Sequence, residues 1–487
     1  MSLPNGWIQT ELKTVGKIVT GKTPSKKNSE YYGGNCLLVK PGDLDKEVIV
    51  LDTQDKLTEL GLDNAPAIPI GSVMVTCIGN MGKVGIAGEK LATNQQINSI
   101  VPDKKIIESR FLYYYAKTLK SWLDMESSAT TISIINKSKF STAPVLLPPL
   151  NEQKRIAKKL DELLATVESI KTRLDNAPTI IKRFRQSILS AATSGDLTSE
   201  WREENKNILF SGIKLKQLVY KKRQENWAKN KIQEFKEKGK TQKNDKWKEK
   251  YKVPDEAILN NSLPKEWTTI CIDAISQVTK LAGFEYTEYV TYTEVGDLPV
   301  LKAENVGKFG FRKKKFSFVD SKSVEMLKRS ELFGNEVLMV FVGAGTGQVG
   351  MVPNDKKYFL GPNIAVIKND KSLCYEKYLE HYLRSPLGVE NILLHSKGAA
   401  QPSLSMTSIR KIFVNFPSYD EQKEIVSQVE SLFALADTLE EKIELAKKRV
   451  DKLTQSILAK AFRGELVEQD PNDESAEKLL ERIRNFA

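Results

Sequence analysis

A chain of 487 residues is longer than one hydrophobic core usually supports, so we expect two to four domains. With 40% hydrophobic and 28% charged residues, the composition is that of a globular protein. No apolar run is long enough to predict a membrane span, and the first residues do not resemble a signal peptide. The four cysteines are far apart and there are only two histidines. This pattern argues against a disulfide framework, a cysteine zinc site or a His-rich metal centre, and it indicates a cytoplasmic protein.

The net charge of +12 is concentrated in one stretch. Residues 213–252 contain fifteen Lys and Arg residues but five Asp and Glu residues, a balance of +10. We expect this stretch to be helical, with Trp227, Phe235 and Trp247 interspersed. Two interpretations stay open: a charged linker helix that packs a few aromatic side chains, or a surface that contacts DNA phosphates.

The chain repeats itself with an offset of about 265 residues. Residues 3–7 return at 263–267, Lys83-Val84-Gly85 returns as Gln348-Val349-Gly350, and Asn151-Glu152-Gln153 returns as Asp420-Glu421-Gln422. These offsets are 260, 265 and 269, and they rise in chain order, as expected for one duplicated block with small insertions in its second copy.

Each copy begins with a predicted α+β domain, at residues 1–150 and 258–417. Short β-rich runs such as 72–78 and 337–342 alternate with glycine turns, and short helical stretches such as 109–122 and 375–384 occur in both copies.

Each copy then continues into a long helix with apolar residues alternately four and three positions apart, a period that predicts a coiled-coil seam. The predicted seam residues are Ile156, Leu160, Leu163, Val167, Ile170, Leu174, Ile181, Phe184 and Ile188 in the first helix, and Ile425, Val429, Leu432, Leu439, Ile443, Val450, Leu453 and Ile457 in the second.

We therefore predict a first spacer helix at 151–197, a basic charged linker at 198–257, and a second spacer helix with a C-terminal helix at 418–487. Asn151 and Asp420 suit the helix N-caps, and Gly195 and Gly464 suit the stops. Pro178 should bend or split the first helix.

Pairing within one chain favours antiparallel helices between the two α+β domains, with an approximate two-fold repeat. The apolar series from 156 to 191 corresponds to about 54 Å of helix, against about 34–36 Å for one turn of a DNA duplex. The alternative is two unrelated amphipathic helices, each packed on its own domain.

Two catalytic motifs match by letter but not by context. Residues 16–23 satisfy the Walker A pattern, yet Pro24 and a polar loop follow where a phosphate-binding helix is needed. Residues 345–350 spell a dinucleotide fingerprint, but residues 351–355, which include Pro353, predict no helix. We expect residues 16–23 to form either a loop near DNA phosphates or a purely structural turn, and residues 345–350 to form a repeated glycine turn.

The ordered motifs resemble the specificity subunit of type I restriction-modification enzymes over essentially the whole chain. The residues that carry the resemblance are 20–25 (Thr-Gly-Lys-Thr-Pro-Ser), 31–34 (Tyr-Tyr-Gly-Gly), 148–156, 184–192, 194–198 and 201–205. The second copy departs from it, with Thr-Lys-Leu-Ala-Gly at 279–283 in place of the Thr-Gly-Lys-Thr-Pro segment.

The resemblance implies that each α+β domain is a target-recognition domain for one half of a bipartite, asymmetric DNA sequence. The helices would set the spacing and dock two methyltransferase subunits, which restriction and translocase subunits would join. It also implies that this chain is non-catalytic, and that S-adenosylmethionine, ATP and Mg belong to the partner subunits. A free-standing DNA-binding or adaptor protein, an enzyme, and the specificity subunit of a type IIB-like system remain alternatives.

Candidate DNA contacts are cationic and amide side chains on predicted loops, because these groups bind phosphates and base edges. They are Lys22, Thr23, Ser25, Lys26, Lys27, Asn80, Lys83, Asn94, Gln95 and Gln96 in the first domain, and Lys302, Asn305, Arg312, Lys313, Lys314, Lys315 and Gln348 in the second.

Overall fold

The computed structural model describes residues 3–127, 133–239, 245–257, 262–308, 310–398 and 402–485. The first copy contains a five-stranded sheet (order β2-β9-β6-β7-β4), a three-stranded sheet (β5-β3-β8) and the pair β1-β10. The strands are β1 (Ile8–Glu11), β2 (Gly16–Thr20), β3 (Tyr32–Val39), β4 (Ile49–Val50), β5 (Asp55–Leu57), β6 (Val73–Thr76), β7 (Val84–Ala87), β8 (Ala92–Thr93), β9 (Ile97–Pro102) and β10 (Pro144–Leu147). The helices are α1 (Leu12–Val15), α2 (Glu59–Asp63), α3 (Ser109–Thr118), α4 (Lys120–Glu126) and α5 (Lys137–Ser141).

The first copy ends with the long helix α6 (Leu150–Ser194), and helices α7 (Ser199–Glu204) and α8 (Gly212–Glu237) follow it before the second copy. Helix α6 continues through Pro178, so the proline does not split it. A glycine with positive φ follows each long helix, Gly195 after α6 and Gly464 near the end of the second, which confirms the predicted stops.

The second copy repeats part of the topology of the first and adds the hairpin β14-β15 and strand β17. Its strands are β11 (Thr268–Cys271), β12 (Ser276–Lys280), β13 (Leu298–Leu301), β14 (Val306–Gly307), β15 (Gly310–Phe311), β16 (Ser317–Val319), β17 (Glu331–Leu332), β18 (Val337–Val340), β19 (Val349–Met351), β20 (Tyr358–Leu360), β21 (Ile364–Asn369) and β22 (Phe413–Phe416). Its helices are α9 (Ile272–Ile275), α10 (Gly283–Tyr289), α11 (Glu376–Arg384), α12 (Pro386–Leu394) and α13 (Met406–Arg410), followed by α14 (Tyr419–Ala461) and α15 (Ala476–Asn485). The sheet order β12-β21-β18-β19 matches β2-β9-β6-β7, and β11-β22 matches β1-β10.

Strand alternation explains why central strands are apolar on both faces. In β18, Val337 and Met339 pack in the core that α11 covers, whereas Leu338 and Val340 belong to the core on the other face. A strand covered on both faces needs apolar side chains at every position, and all four residues are buried.

Both long helices begin before their predicted N-cap residues. Helix α6 starts at Leu150 and α14 at Tyr419, so Asn151 and Asp420 lie in the first turn and are not N-caps. The hydroxyl of Ser418 accepts a hydrogen bond from the Glu421 N–H instead, at 3.3 Å.

The described chain forms two units, residues 1–176 with 443–487, and residues 177–442. In the first unit, Ile156 and Leu160 share a core with Leu458 and Ala461. Ion pairs join Lys171 to Asp451 at 3.8 Å and Asp175 to Lys447 at 3.2 Å. From Lys171 to Asp175 the chain of α6 runs forward by four residues, while their partners on α14 run backward from Asp451 to Lys447. The two helices are therefore antiparallel there.

In the second unit, the end of α6 packs against the start of α14. Ile188 lies in one core with Ile425 and Val429, and Arg185 forms an ion pair with Asp437 at 2.6 Å. The predicted pairing is therefore confirmed in this unit as well. Four predicted seam residues are exposed, at 37–44%: Ile170, Phe184, Leu439 and Leu453.

The segment after each long helix folds back onto the α+β domain of the other copy. After α14, the Ala476 N–H donates to the Gly6 carbonyl at 3.0 Å, and Arg155 forms an ion pair with Asp473 at 2.8 Å. After α6, the Gly212 N–H donates to the Lys265 carbonyl at 2.8 Å. Each unit therefore contains one α+β domain, parts of both long helices and a segment that closes onto that domain.

Candidate nucleic-acid interface

Three loops of the first domain leave the five-stranded sheet at the same end. Thr20, the last residue of β2, pairs with Asn98, and Thr76, the last residue of β6, pairs with Ile97 at the start of β9. The loops after β2 and β6 and the loop before β9 must therefore be neighbours. They contain all ten residues nominated in this domain.

Direct contacts join the first and third of these loops. The Thr23 hydroxyl donates to Gln95 Oε1 at 3.0 Å, and the Gly21 N–H donates to the Ile97 carbonyl at 3.0 Å. Gly21 cannot carry a side chain, because a Cβ would lie 2.2 Å from the Asn94 carbonyl oxygen. The exposed nominated residues are Lys22, Ser25, Lys26, Lys27, Asn80 and Gln95, while Thr23, Lys83 and Gln96 are half-buried.

Asn94 differs from its neighbours because it is buried. Its Nδ2 donates to Gln96 Oε1 at 2.9 Å and its Oδ1 accepts the Gln96 N–H at 3.1 Å. The amide shapes the loop that presents Gln95, which favours a structural role for Asn94 over contact with a base.

The second domain has the same arrangement at the end of its sheet. Lys280 pairs with Ala365 and Val340 pairs with Ile364, so the glycine turn after β18 lies next to the start of β21. Gln348 lies in this turn, as predicted, and β19 follows it directly. The dinucleotide pattern at 345–350 therefore ends in a strand, and no helix N-terminus is there to bind a pyrophosphate.

The other nominated residues of the second domain surround a short hairpin. Asn305 is buried, where its Oδ1 accepts the Lys302 N–H at 2.9 Å and its Nδ2 donates to the Arg312 carbonyl at 3.3 Å. Lys302 Nζ donates to Ser317 Oγ at 2.8 Å. Four consecutive basic residues are exposed: Arg312, Lys313, Lys314 and Lys315. The Nζ of Lys315 is 3.8 Å from a Glu294 carboxylate oxygen. Asn305 thus supports the strand connection, while 312–315 form a basic surface.

Two residues at this sheet end were not predicted. Asn363 is exposed, with a positive φ of 65°, directly before β21. Strand register places it where Gln96 lies in the first domain, an offset of 267 that falls within the range of the repeat. Lys280 is exposed at the end of β12, with its Nζ 4.8 Å from the centre of the Phe341 ring. The repeat offset limits the counterpart of Gln96 to a few residues, and strand register identifies it as Asn363.

A groove of about 1030 Å3 lies in the second unit beside the glycine turn, lined by Gln348, Lys308, Arg384 and residues of both long helices. Behind it, Arg384 donates to the buried Glu380 at 2.7 Å. Burial raises the pKa of the Glu380 carboxyl, but His381 and Arg384 outweigh burial and lower it overall. Glu380 is thereby held as a carboxylate that fixes Arg384 at the groove.

The cysteine environments do not favour thiol chemistry. Burial raises the pKa of Cys77 to about 12 and also raises the pKa of Cys271 and Cys374, so the thiolate forms are disfavoured. Within the described ranges, no group of three or more His, Cys, Asp or Glu residues is arranged to hold a metal ion. Nor does any described helix have the length and hydropathy needed to cross a membrane.

Both copies match one family model, described as the type I restriction modification DNA specificity domain, at residues 4–178 and 264–447. The type I restriction enzyme EcoBI specificity subunit of Escherichia coli is 31% identical over 408 residues, covering 81% of this chain and 75% of that protein. The EcoKI specificity subunit of Escherichia coli strain K12 is 27% identical over 510 residues, covering 99% and 96%. The crystal structure of the HsdS subunit from Thermoanaerobacter tengcongensis has a TM-score of 0.57 at 16% identity, covering 96% of this chain and 98% of that one, which shows a shared fold.

Proposed function

The chain belongs to the family of type I restriction-modification DNA specificity subunits, and we propose that each of its α+β domains recognises one half of a bipartite, asymmetric DNA sequence. One observation carries this proposal: each domain brings cationic and amide side chains together at one end of its main sheet, and this is the corresponding end in both domains. Amide and cationic side chains are the groups that bind base edges and phosphates.

The two domains present different side chains at this end, which supports an asymmetric target. The first has Gln95 and Gln96 before β9, whereas the second has Pro362 and Asn363 before β21. The loop after β2 is also different, because helix α10 replaces the polar loop at 21–28. Two surfaces with different donors and acceptors would select different bases.

We further propose that the paired helices set the distance between the half-sites and dock two methyltransferase subunits. Apolar side chains on the outer faces support docking: Ile180 is 63% exposed and Leu435 is 51% exposed in the second unit, and Leu445 is 56% exposed in the first. These exposed aliphatic side chains are candidate contacts for a partner, because a contiguous exposed apolar patch marks a protein interaction site.

In this proposal, the chain itself is non-catalytic and acts in the cytoplasm. Methyl transfer from S-adenosylmethionine would belong to the methyltransferase subunits, and ATP- and Mg-dependent cleavage to the restriction and translocase subunits.

Co-expression with the cognate methyltransferase tests the assignment. We expect a stable complex of two methyltransferase subunits with one copy of this chain, and methylation at a two-part sequence with a fixed gap in the host genome. A free-standing DNA-binding or adaptor protein would form no such complex, and an enzyme would bind S-adenosylmethionine or ATP as an isolated chain.

A further inference from the structure

Helix α8 is held firmly on the second α+β domain. Val219 is fully buried in the core of that domain. Arg223 Nε donates to the Asp273 carbonyl at 2.8 Å and its guanidinium pairs with the Asp273 carboxylate, while Asn226 Nδ2 donates to the Asp370 carboxylate. One face of the helix is therefore fixed.

Aromatic side chains cover the second half of the same helix. The Trp227 ring stacks on Trp247 with centroids 5.7 Å apart, Phe235 meets Trp247 edge-on, and Tyr251 packs against Trp227. The aromatic residues of this basic stretch thus bind one another. The interpretation of α8 as a linker helix that packs aromatic side chains accounts for its inner face. It does not account for the positive charge of the helix.

The outer face carries a row of lysines, which we call the lysine row: Lys214, Lys221, Lys229 and Lys236. Their spacings of seven, eight and seven residues place them on one side of the helix, about two turns apart. All four are exposed, and the row is about 33 Å long. That length is close to one turn of a DNA duplex.

Two other lysines of α8 have carboxylate partners, whereas most of the lysine row has none. Lys216 pairs with Glu256 at 3.1 Å, and Lys231 pairs with Glu234 at 2.7 Å. Among the described residues, no carboxylate oxygen lies within 4.0 Å of Nζ in Lys221, Lys229 or Lys236. Glu225 is exposed on the same face, four residues from both Lys221 and Lys229, but it forms no ion pair with either lysine, and the four lysines outnumber it.

We propose that the lysine row contacts the phosphates of duplex DNA outside the recognised bases, independently of sequence. The partner chemistry follows from a row of exposed lysines, most of them without an ion-pair partner, because such cations attract the phosphates of a polyanion. This inference rests on the proposed function in that the chain must bind DNA, and it assigns to α8 an affinity that the recognition loops do not supply.

The test uses the full chain in complex with its methyltransferase subunits and the triple variant Lys221→Gln, Lys229→Gln, Lys236→Gln. Binding to long duplexes with and without the target sequence is measured by fluorescence anisotropy over a range of KCl concentrations. We expect the magnitude of the negative slope of log K against log salt to decrease by about two to three, because each lost phosphate contact lowers that magnitude by about 0.9. Both duplexes should lose affinity by the same factor, so that their ratio is unchanged.

The matched control is Lys216→Gln with Lys231→Gln, which removes two lysines of the same helix that already have partners, and its salt slope should stay near that of the wild type. Lys229→Gln alone, expected to lower the slope by about one, serves if the triple variant does not fold. An unchanged salt slope in both lysine-row variants overturns the inference. So does a result in which the variants bind DNA like the wild type but no longer bind an acidic protein partner. Equal binding of target and non-target duplexes by the wild type would instead contradict the proposed function.

Discussion

Glu421, fully buried at the start of α14, lies 2.5 Å from the guanidinium of Arg202 in helix α7, and it also accepts a hydrogen bond from Thr198 Oγ1 at 2.7 Å. These bonds join the second long helix to the segment that follows the first. In the other unit, the corresponding Glu152 accepts a hydrogen bond from Trp7 Nε1 at 3.1 Å. Each long helix therefore begins with a buried carboxylate whose partners lie elsewhere in the chain.

Arg202→Ala should destabilise the protein strongly, because it leaves the Glu421 carboxylate buried without its cation. Removing one partner of a buried pair costs about 3–5 kcal/mol. Denaturant unfolding measures the change, with Arg463→Ala as control, since the Arg463–Glu465 pair is exposed. A control loss as large as that of Arg202→Ala would contradict the special weight given to the buried pair.

The contribution of Glu421 should depend on pH. Burial raises the pKa of its carboxyl above the ordinary value of 4.5, so the folded state holds the proton more tightly than the unfolded state. Its stabilising effect is complete below pH 4.5 and is lost as the pH rises through the folded-state pKa. The difference in unfolding free energy, wild type minus Glu421→Gln, should therefore fall with rising pH across this window and then level off. A difference that increases with pH would show that the pKa is lowered instead.

Leu160→Ala and Ile180→Ala remove comparable aliphatic groups from the same helix and should differ sharply. Leu160 is fully buried and Ile180 is 63% exposed. A cavity at Leu160 should cost about 2–5 kcal/mol, whereas the change at Ile180 should stay within about 0.5 kcal/mol. Chemical denaturation compares the two.

The same Ile180→Ala variant tests docking on the helix pair. We expect it to weaken association with the methyltransferase subunits in a pull-down while the free chain keeps its stability. Association as tight as in the wild type would remove Ile180 from the docking surface.

The basic surface at 313–315 should bind DNA phosphates without sequence preference. Lys313→Ala combined with Lys314→Ala and Lys315→Ala should weaken target and non-target duplexes alike and reduce the salt slope by about two to three. Lys104→Ala with Lys105→Ala is the control, because these exposed lysines follow the opposite end of β9 in the first domain. Unchanged affinity and unchanged slope would exclude the 313–315 cluster from the interface.

Periodicity and the repeat predicted most of the architecture. The seven-residue pattern located both long helices to within a few residues, because burying an apolar stripe requires a regular spacing. The pairing of these helices followed from their matching lengths. The fold-back of the segments after Gly195 and Gly464 was not predictable, since no periodic pattern in those segments points to a particular surface.

Site residues were harder to predict than elements. An amide side chain looks the same in sequence whether it faces solvent or bonds to the backbone, so Asn94 and Asn305 could not be told from Gln95. Asn363 was missed because motif matching compares letters, whereas the correspondence with Gln96 is set by strand register. Polar and charged residues in the sequence indicate candidate loops, but only the strand register in the structure shows which loops are neighbours.

The two domains should recognise separate halves of one target. Host methylomes are compared for the wild type, for Gln95→Ala with Gln96→Ala, and for Gln348→Ala with Asn363→Ala, each co-expressed with the methyltransferase subunits. We predict that the first pair alters or relaxes bases only in one half-site, that the second pair does so only in the other, and that the gap between them is constant. A pair that changes bases in both halves, or that changes the gap, would contradict the account.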